Sequence, residues 1–242
     1  GKILNKINYY YQYRKYNQSL FEKKQNDLFN HYGLNREKGI ENLNFLKKNL
    51  AKNFDIDREM SSEHEVFFSS LSLNKSHSIN EILEIGTFDG FNALLLSKLF
   101  TKTNIDTIDL NENDEDFINF YDRKNKINKF VQDRNNILSK NQDIKFFKLN
   151  SLKLLNYKKK YDLIWIDGAH GYPIVCIDII NSLHILNENG IILCDDVHKN
   201  LNQIDSDKMY HSIASYETLE ELNKENLIKF KLIYKRLDPK NN

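Results

Sequence analysis

Two short stretches place acids and histidines directly after apolar runs: Ile166-Asp167-Gly168-Ala169-His170 and Cys194-Asp195-Asp196-Val197-His198. If the two runs are neighbouring parallel strands, Asp167, Asp195 and Asp196 converge at one end of a sheet. Three carboxylates gathered there repel one another unless a cation or bound protons offset the charge. An oxygen-rich site of this kind suits Mg²⁺ or another divalent cation, which makes those three residues the candidate metal ligands. Asp167, His170 and His198 are the candidate catalytic groups, with a histidine as the base. His170 falls inside its motif, whereas a lone histidine such as His198 or His211 is more often a surface or hydrogen-bonded residue.

A third stretch has binding chemistry. Glu84-Ile85-Gly86-Thr87-Phe88-Asp89-Gly90-Phe91-Asn92 follows an apolar run and precedes a helical one. Two glycines four apart allow a tight turn and let backbone N–H groups approach a ligand. Phe88 stands where the dinucleotide fingerprint G-x-G-x-x-G has its middle glycine, and its side chain would crowd a pyrophosphate. Asp109 ends the next apolar run, where a carboxylate can accept hydrogen bonds from both hydroxyls of a ribose. A ligand with a ribose and no pyrophosphate satisfies both features.

The elements that must hold these residues follow from the pattern. Short apolar runs at Glu81 to Ile85, Asn104 to Leu110, Ile144 to Leu149, Tyr161 to Ile166 and Gly190 to Cys194 read as strands. Helical composition fills the intervals at Asn92 to Phe100, Glu115 to Leu138 and Pro173 to Leu186. Strands alternating with helices predict an α/β fold with a mostly parallel sheet, and ligands in such sheets sit beyond the carboxyl ends of the strands. A helix near Tyr216 to Asn223 and a closing strand over Leu227 to Arg236 complete the pattern. Upstream, Ile40, Leu43, Leu46, Leu50 and Phe54 recur on one helix face, and Ser19 to His31 is a second helical stretch. The aromatic-basic run Tyr9 to Tyr16 could stack on bases, but amphipathic packing onto the domain or a dimer partner is the preferred reading.

Glu84-x-Gly86-x-x-x-Gly90 after a strand, with Asp109 ending the next, resembles motifs I and II of class I S-adenosylmethionine-dependent methyltransferases. The resemblance spans about residues 58 to 236 and includes the stretch Met60 to Phe67. It implies a Rossmann-like sheet with an antiparallel C-terminal strand, a helical appendage over residues 1–57 and the methyltransferase domain over 58–242. It also implies S-adenosyl-L-methionine as cofactor, held by Glu84, Gly86, Thr87, Gly90, Asp109, Leu110, Asn150 and Ser151. The glycine turn would meet the methionine part and Asp109 the ribose. Beside the adenine, Asn150 could accept from the exocyclic amine, while Ser151 could simply cap the next helix.

The I-D-G-x-H and D-D pair resembles small-molecule O-methyltransferases, in which the matching acids often hold a divalent ion against substrate hydroxyls. Relatives acting on catechols and phenylpropanoids usually carry Asp-Asn at the fifth strand. Asp195-Asp196 departs from that and leans toward a sugar or nucleotide-activated sugar, with a phenolic acceptor second. An alcohol must be deprotonated to accept a methyl group, by a metal that lowers its pKa or by a side-chain base. The Asn/Asp-Pro-Pro-aromatic signature of nucleic-acid amino methylases has no counterpart at Asp167 to His170.

Composition bounds the rest. The 242 residues are 40% hydrophobic and 29% charged, within the range of ordinary globular proteins. Lys+Arg 35 against Asp+Glu 34 gives a net charge of +1, which removes the bulk electrostatic argument for nucleic-acid binding. No apolar run approaches the ~20 residues that span a bilayer, and no signal-peptide pattern opens the chain, so a cytoplasmic enzyme without membrane partners is expected. The opening at Gly1 reads as a cleavage scar or a cut from something longer. Cys176 and Cys194 read as buried, unpaired thiols of a reducing compartment. The N-terminal helices would cover the cofactor or mediate a homodimer. Two other functions compete: a non-catalytic scaffold, which could have lost the turn glycines or the strand-end acids, and a nicotinamide-dependent oxidoreductase, which Phe88 disfavours.

Overall fold

The computed structural model describes residues 18–51, 63–119, 126–199 and 212–234. The run Tyr9 to Tyr16, Met60 to Ser62, His211 and most of the loop from Lys199 to Met209 lie outside them. Two compact units divide the chain: the described residues of Gly1–His77 with Lys231–Asn242 form one, and those of Ser78–Phe230 the other.

The smaller unit contains α1 (Gln18–His31), α2 (Arg36–Ala51) and α3 (Glu63–Ser72). Arg36 opens α2 with its guanidinium almost fully buried. Its Nε and Nη2 donate to the two carboxylate oxygens of Glu63 at 3.0 and 2.9 Å, and Nη1 reaches Glu22 and Asn26. A buried charge is tolerated only when paired in this way. The crossing of α2 and α3 is close: a Cβ on Gly39 would lie 2.0 Å from Ser70 Oγ. The helix α3, which the sequence pattern joins to the larger domain, packs within this unit against α2.

The larger unit is an α/β layer. Its elements are β1 (Glu81–Ile85), α4 (Phe91–Leu99), β2 (Asn104–Asp109), α5 (Glu115–Asn119), α6 (Ile127–Leu138), β3 (Ile144–Lys148), β4 (Tyr161–Ile166), α7 (Ile174–Ile185), β5 (Leu186–Cys194) and α8 (Ala214–Lys224). A 3₁₀ turn, Ser151–Asn156, follows β3. All strand pairs are parallel and the order is β3-β2-β1-β4-β5, so the order reverses at β1. Strands buried on both faces read as continuous apolar runs, which is why β1 and β4 stand out in the sequence. Leu83, Ile85, Ile164 and Ile166 share one face and pack with Val175 and Ile179 of α7. On the opposite face, Glu84 lies in register with Thr107 of β2 and Trp165 of β4. Trp165 is buried, as expected for its strand.

Three expectations change. The pattern predicts β5 from Gly190, but pairing begins at Leu186; the polar run Asn187 to Asn189 masks the start, and a register irregularity between Tyr161 and Leu163 absorbs it. The antiparallel strand expected over Leu227 to Arg236 has no ladder in its described part, up to Tyr234. Apolar alternation there serves other contacts: Phe230 packs edge-on to Tyr216 at 6.0 Å, and the Tyr234 carbonyl accepts from Gln25. Cys176 and Cys194 are free but half-buried rather than fully buried.

Candidate functional site

The turn after β1 is built by backbone geometry. Gly86 has φ +101°, Phe88 +49° and Gly90 +79°, and the Gly86 N–H donates to the Ile108 carbonyl at 2.9 Å. A Cβ on Gly86 would lie 2.1 Å from the Asp167 carbonyl oxygen, and one on Gly90 2.8 Å from the Leu138 side chain. On its Cβ side Gly86 is therefore closed by the Asp167 backbone just past β4, and a side chain has no room there. The glycine lets β1 and β4 close on each other, sealed by Asp167 N–H to Ile85 O at 2.8 Å.

The ligand-facing part of the turn centres on Asp109 at the end of β2. Its Oδ2 accepts from the Phe88 N–H at 3.0 Å and its Oδ1 from the Leu110 N–H at 2.8 Å. A carboxylate has about four acceptor directions, so two backbone donors fix its plane without by themselves exhausting it. The positive φ at Phe88 turns that N–H onto Asp109. Leu110 thus acts through its backbone, and the strand end and the glycine turn are tied together at the carboxylate.

Behind Asp109 lies Arg134 of α6, which sequence reasoning did not single out. Its guanidinium is fully buried, 4.3 Å above the Phe146 ring and 5.7 Å from that of Phe117. It reaches Glu112 at 3.4 Å, and Glu112 also meets Lys148 at 2.7 Å. Burial pushes the Arg134 pKa down, while Asp109 and Glu112 push it back up. The available signal was a lone arginine on the apolar face of α6, in step with Phe130 and Leu138.

Glu84 is 1% exposed. It accepts from Asn92 Nδ2 at 2.8 Å and from the Thr107 hydroxyl, and Thr87 Oγ1 lies 2.6 Å from Thr107 Oγ1. Burial pushes its pKa up to about 8, with Asp89 and Asp109 adding to the rise and the two donors opposing it. Thr87 is buried in the same hydroxyl chain.

At the third strand the two polar residues divide their work differently from the expected pattern. Asn150 Oδ1 accepts from the Leu152 N–H at 3.0 Å, so Asn150, and not Ser151, caps the 3₁₀ turn. Ser151 holds Asn181 through its own carbonyl, at 3.2 Å. Asp178 of α7, also missed, is buried beneath this turn and beneath Gly168, where a Cβ would lie 3.7 Å from Asp178 Oδ2. Burial pushes its carboxyl up to about 6; the nearby Ser151 hydroxyl offsets part of the rise without reaching full hydrogen-bond geometry. An acid inside Ile174 to Ile180 was the visible clue.

The strand-end acids meet around a histidine. His170 is buried, and its Nε2 lies 3.6 Å from Asp167 Oδ1 and 3.9 Å from Asp196 Oδ2. Asp196 adopts φ +47°, a bend immediately past β5. The Asp195 N–H donates to the Ile166 carbonyl at 2.9 Å, continuing the ladder, and His198 is half-buried on the following loop. Among the described residues, no three His, Cys, Asp or Glu side chains are arranged to hold a metal ion. Of the three acids expected to hold a divalent cation, Asp167 and Asp196 both lie near the His170 imidazole, and Asp195 is tied to β4 through its backbone. A groove of about 630 Å³ lies elsewhere, between α7 and α8, lined by Tyr172, Ile180, Leu222 and Glu217 among others.

The parallel sheet reversing at β1, a left-handed glycine turn there and an acid ending β2 define a Rossmann-like α/β domain of the kind that binds nucleosides. Residues 83–197, a little under half of the chain, match the family model described as a methyltransferase domain. No curated protein matches the chain. Among solved structures, the chain is similar to a protein from Staphylococcus aureus described as a candidate caffeoyl-CoA O-methyltransferase, at 18% identity over 86% of this chain and 89% of that one, TM-score 0.48. It is also similar to the S-adenosylhomocysteine-bound methyltransferase PaMTH1 of Podospora anserina, at 17% identity over 78% of each chain, TM-score 0.45. A third is the O-methyltransferase TomG of Streptomyces achromogenes, involved in tomaymycin synthesis and solved with S-adenosylmethionine, at 16% identity over 61% of this chain and 60% of that one, TM-score 0.41. No helix among the described residues is long and apolar enough to cross a membrane.

Proposed function

We propose that this chain transfers a methyl group from S-adenosylmethionine to a hydroxyl of a small, polar acceptor, with a sugar or nucleotide-activated sugar as the acceptor class. The observation that carries the reading is His170 lodged between Asp167 and Asp196 at the carboxyl ends of β4 and β5, within the segment that matches a methyltransferase domain. The donor set fits the cofactor: Asp109, oriented by two backbone N–H groups, suits the ribose hydroxyls, and the acidic surroundings of the turn suit a cationic methionine end. Bound there, the cofactor supplies an electrophilic methyl group on a sulfonium.

The chain's own residues then have two tasks. One is alignment of acceptor and donor, which can lower the barrier by several kcal/mol and in ideal cases by roughly 7–11. The other is removal of the hydroxyl proton. His170 is the base for that step; two flanking carboxylates orient its ring and favour the imidazolium that forms. Carboxylates and a histidine at the strand ends match a hydroxyl-rich acceptor better than a flat apolar one. Were a divalent cation to assist, Asp167, Asp195 and Asp196 would hold it, and it would lower the pKa of the acceptor hydroxyl.

The test is calorimetric titration with S-adenosylhomocysteine, followed by radiolabelled methyl transfer to a panel of sugar nucleotides and phenols. Binding with transfer to a sugar hydroxyl is expected. In His170→Ala, turnover falls by about 10²- to 10⁴-fold while S-adenosylhomocysteine affinity holds. Equal turnover in that variant removes His170 as the base, transfer to phenols alone removes the sugar reading, and absence of cofactor binding removes the proposal.

A further inference from the structure

Glu84 is a carboxyl group sealed beneath the glycine turn with no cation beside it. Its neighbours on β2, β4 and α4 are Thr107, Trp165 and Asn92, and the charged groups acting on it are the acids Asp89 and Asp109. Among the described residues no lysine, arginine or histidine forms an ion pair with it, unlike Glu63, Glu65 and Glu112. A buried carboxylate held by two neutral donors and facing two like charges is disfavoured relative to the neutral acid. At pH 7 the free protein therefore keeps the Glu84 proton. From Glu84 a chain of hydroxyls runs through Thr107 to Thr87, which lies in the turn itself. Each hydroxyl can donate or accept, so the chain can reverse its direction as Glu84 changes state.

S-adenosylmethionine carries a sulfonium that S-adenosylhomocysteine lacks. A positive charge over the turn favours the Glu84 carboxylate, and its disappearance on methyl transfer favours the acid again. We infer that Glu84 exchanges a proton in step with the cofactor's charge, losing it to solvent when S-adenosylmethionine binds and regaining one when S-adenosylhomocysteine has formed. The inference rests on the cofactor assignment made above. The balance is simple: the buried O–H bond breaks on binding and its proton leaves to buffer. After transfer an equivalent proton returns, separate from the one the acceptor hydroxyl gives up to His170. Glu84 in this role is a positioning residue that acts on the turn through Thr107 and Thr87.

The experiment is calorimetry of both ligands at pH 6.5, 7.5 and 8.5, in buffers with different ionisation heats, on the wild type and Glu84→Gln. The ligand's own α-amino group titrates near pH 8, but it is common to both proteins, so the difference between them isolates Glu84. At pH 6.5 and 7.5 the wild type is expected to release up to about one more proton per S-adenosylmethionine than the variant does, with no such excess for S-adenosylhomocysteine. Relative to the variant, the wild type's affinity for S-adenosylmethionine rises with pH by up to about tenfold per unit below pH 8 and then levels. Equal proton release in the two proteins overturns the inference. If Glu84→Gln does not fold, Thr107→Val decides: losing that donor must move the midpoint of proton release upward, and an unmoved midpoint overturns the inference. If neither ligand binds the wild type, the cofactor assignment itself has failed.

Discussion

Gly86→Ala is the sharpest probe of how the two halves of the site are joined. A methyl group there would stand 2.1 Å from the Asp167 carbonyl oxygen, 2.6 Å from its carbon and 2.9 Å from the Gly168 nitrogen. All three atoms are backbone, so no side chain can swing aside and the ends of β1 and β4 must part. The residue also sits at φ +101°, where an L side chain costs about 1–2 kcal/mol. Parting the strands puts the Asp167 N–H to Ile85 O bond at risk, worth about 0.5–1.5 kcal/mol net. Together these predict a loss of about 2–3 kcal/mol, or roughly 5–10 °C in Tm for a protein of this size. Asp167 moves with the strand end, so its 3.6 Å contact to His170 is disturbed and methyl transfer should fall further than cofactor affinity. Urea unfolding and differential scanning calorimetry read the stability, with Gly171→Ala as control because nothing lies within 4 Å of its added methyl. A Gly86→Ala protein within about 0.5 kcal/mol of wild type, or a Gly171→Ala protein equally damaged, would refute the reasoning.

Two other perturbations test separate parts of the site. Asp109→Ala removes the group that ties Phe88 and Leu110 together and would hold the ribose; S-adenosylhomocysteine affinity should fall by at least about 100-fold by calorimetry, since hydrogen bonds to a charged group contribute about 1.5–3 kcal/mol each. Asp178 has its folded pKa raised by burial to about 6, above the usual carboxylate value, so folding binds a proton and stability falls as pH rises from about 4 through 6. Asp178→Asn should remove that slope and gain roughly 2–3 kcal/mol relative to wild type on going from pH 4 to pH 7.5 in urea melts. An unchanged slope would mean that the carboxyl is solvated.

How much of this was legible depends on whether a property is local. β1 and β4 are buried on both faces, so their apolar runs announce them, and the turn after β1 is announced by two glycines. Burial of a charge is not local. Arg134 and Asp178 each look like surface residues until the sheet puts Phe146 over one and Gly168 over the other. The glycines show the same limit in reverse: their spacing announces a tight turn, but that Gly86 must also clear the backbone of Asp167 is a contact no reading of residues 84–92 could foresee. Which of Asn150 and Ser151 caps the next turn was not local either: the sequence points to Ser151, but the Leu152 N–H donates to Asn150. The acidic strand ends pose the same kind of question. Sequence alone requires that converging carboxylates be offset, by a cation or by protons, without choosing between them. The structure supplies a nitrogen of His170 between Asp167 and Asp196, 3.6 and 3.9 Å away. An imidazole flanked by two carboxylates is suited to taking up a proton, which is the step proposed for it at the acceptor hydroxyl.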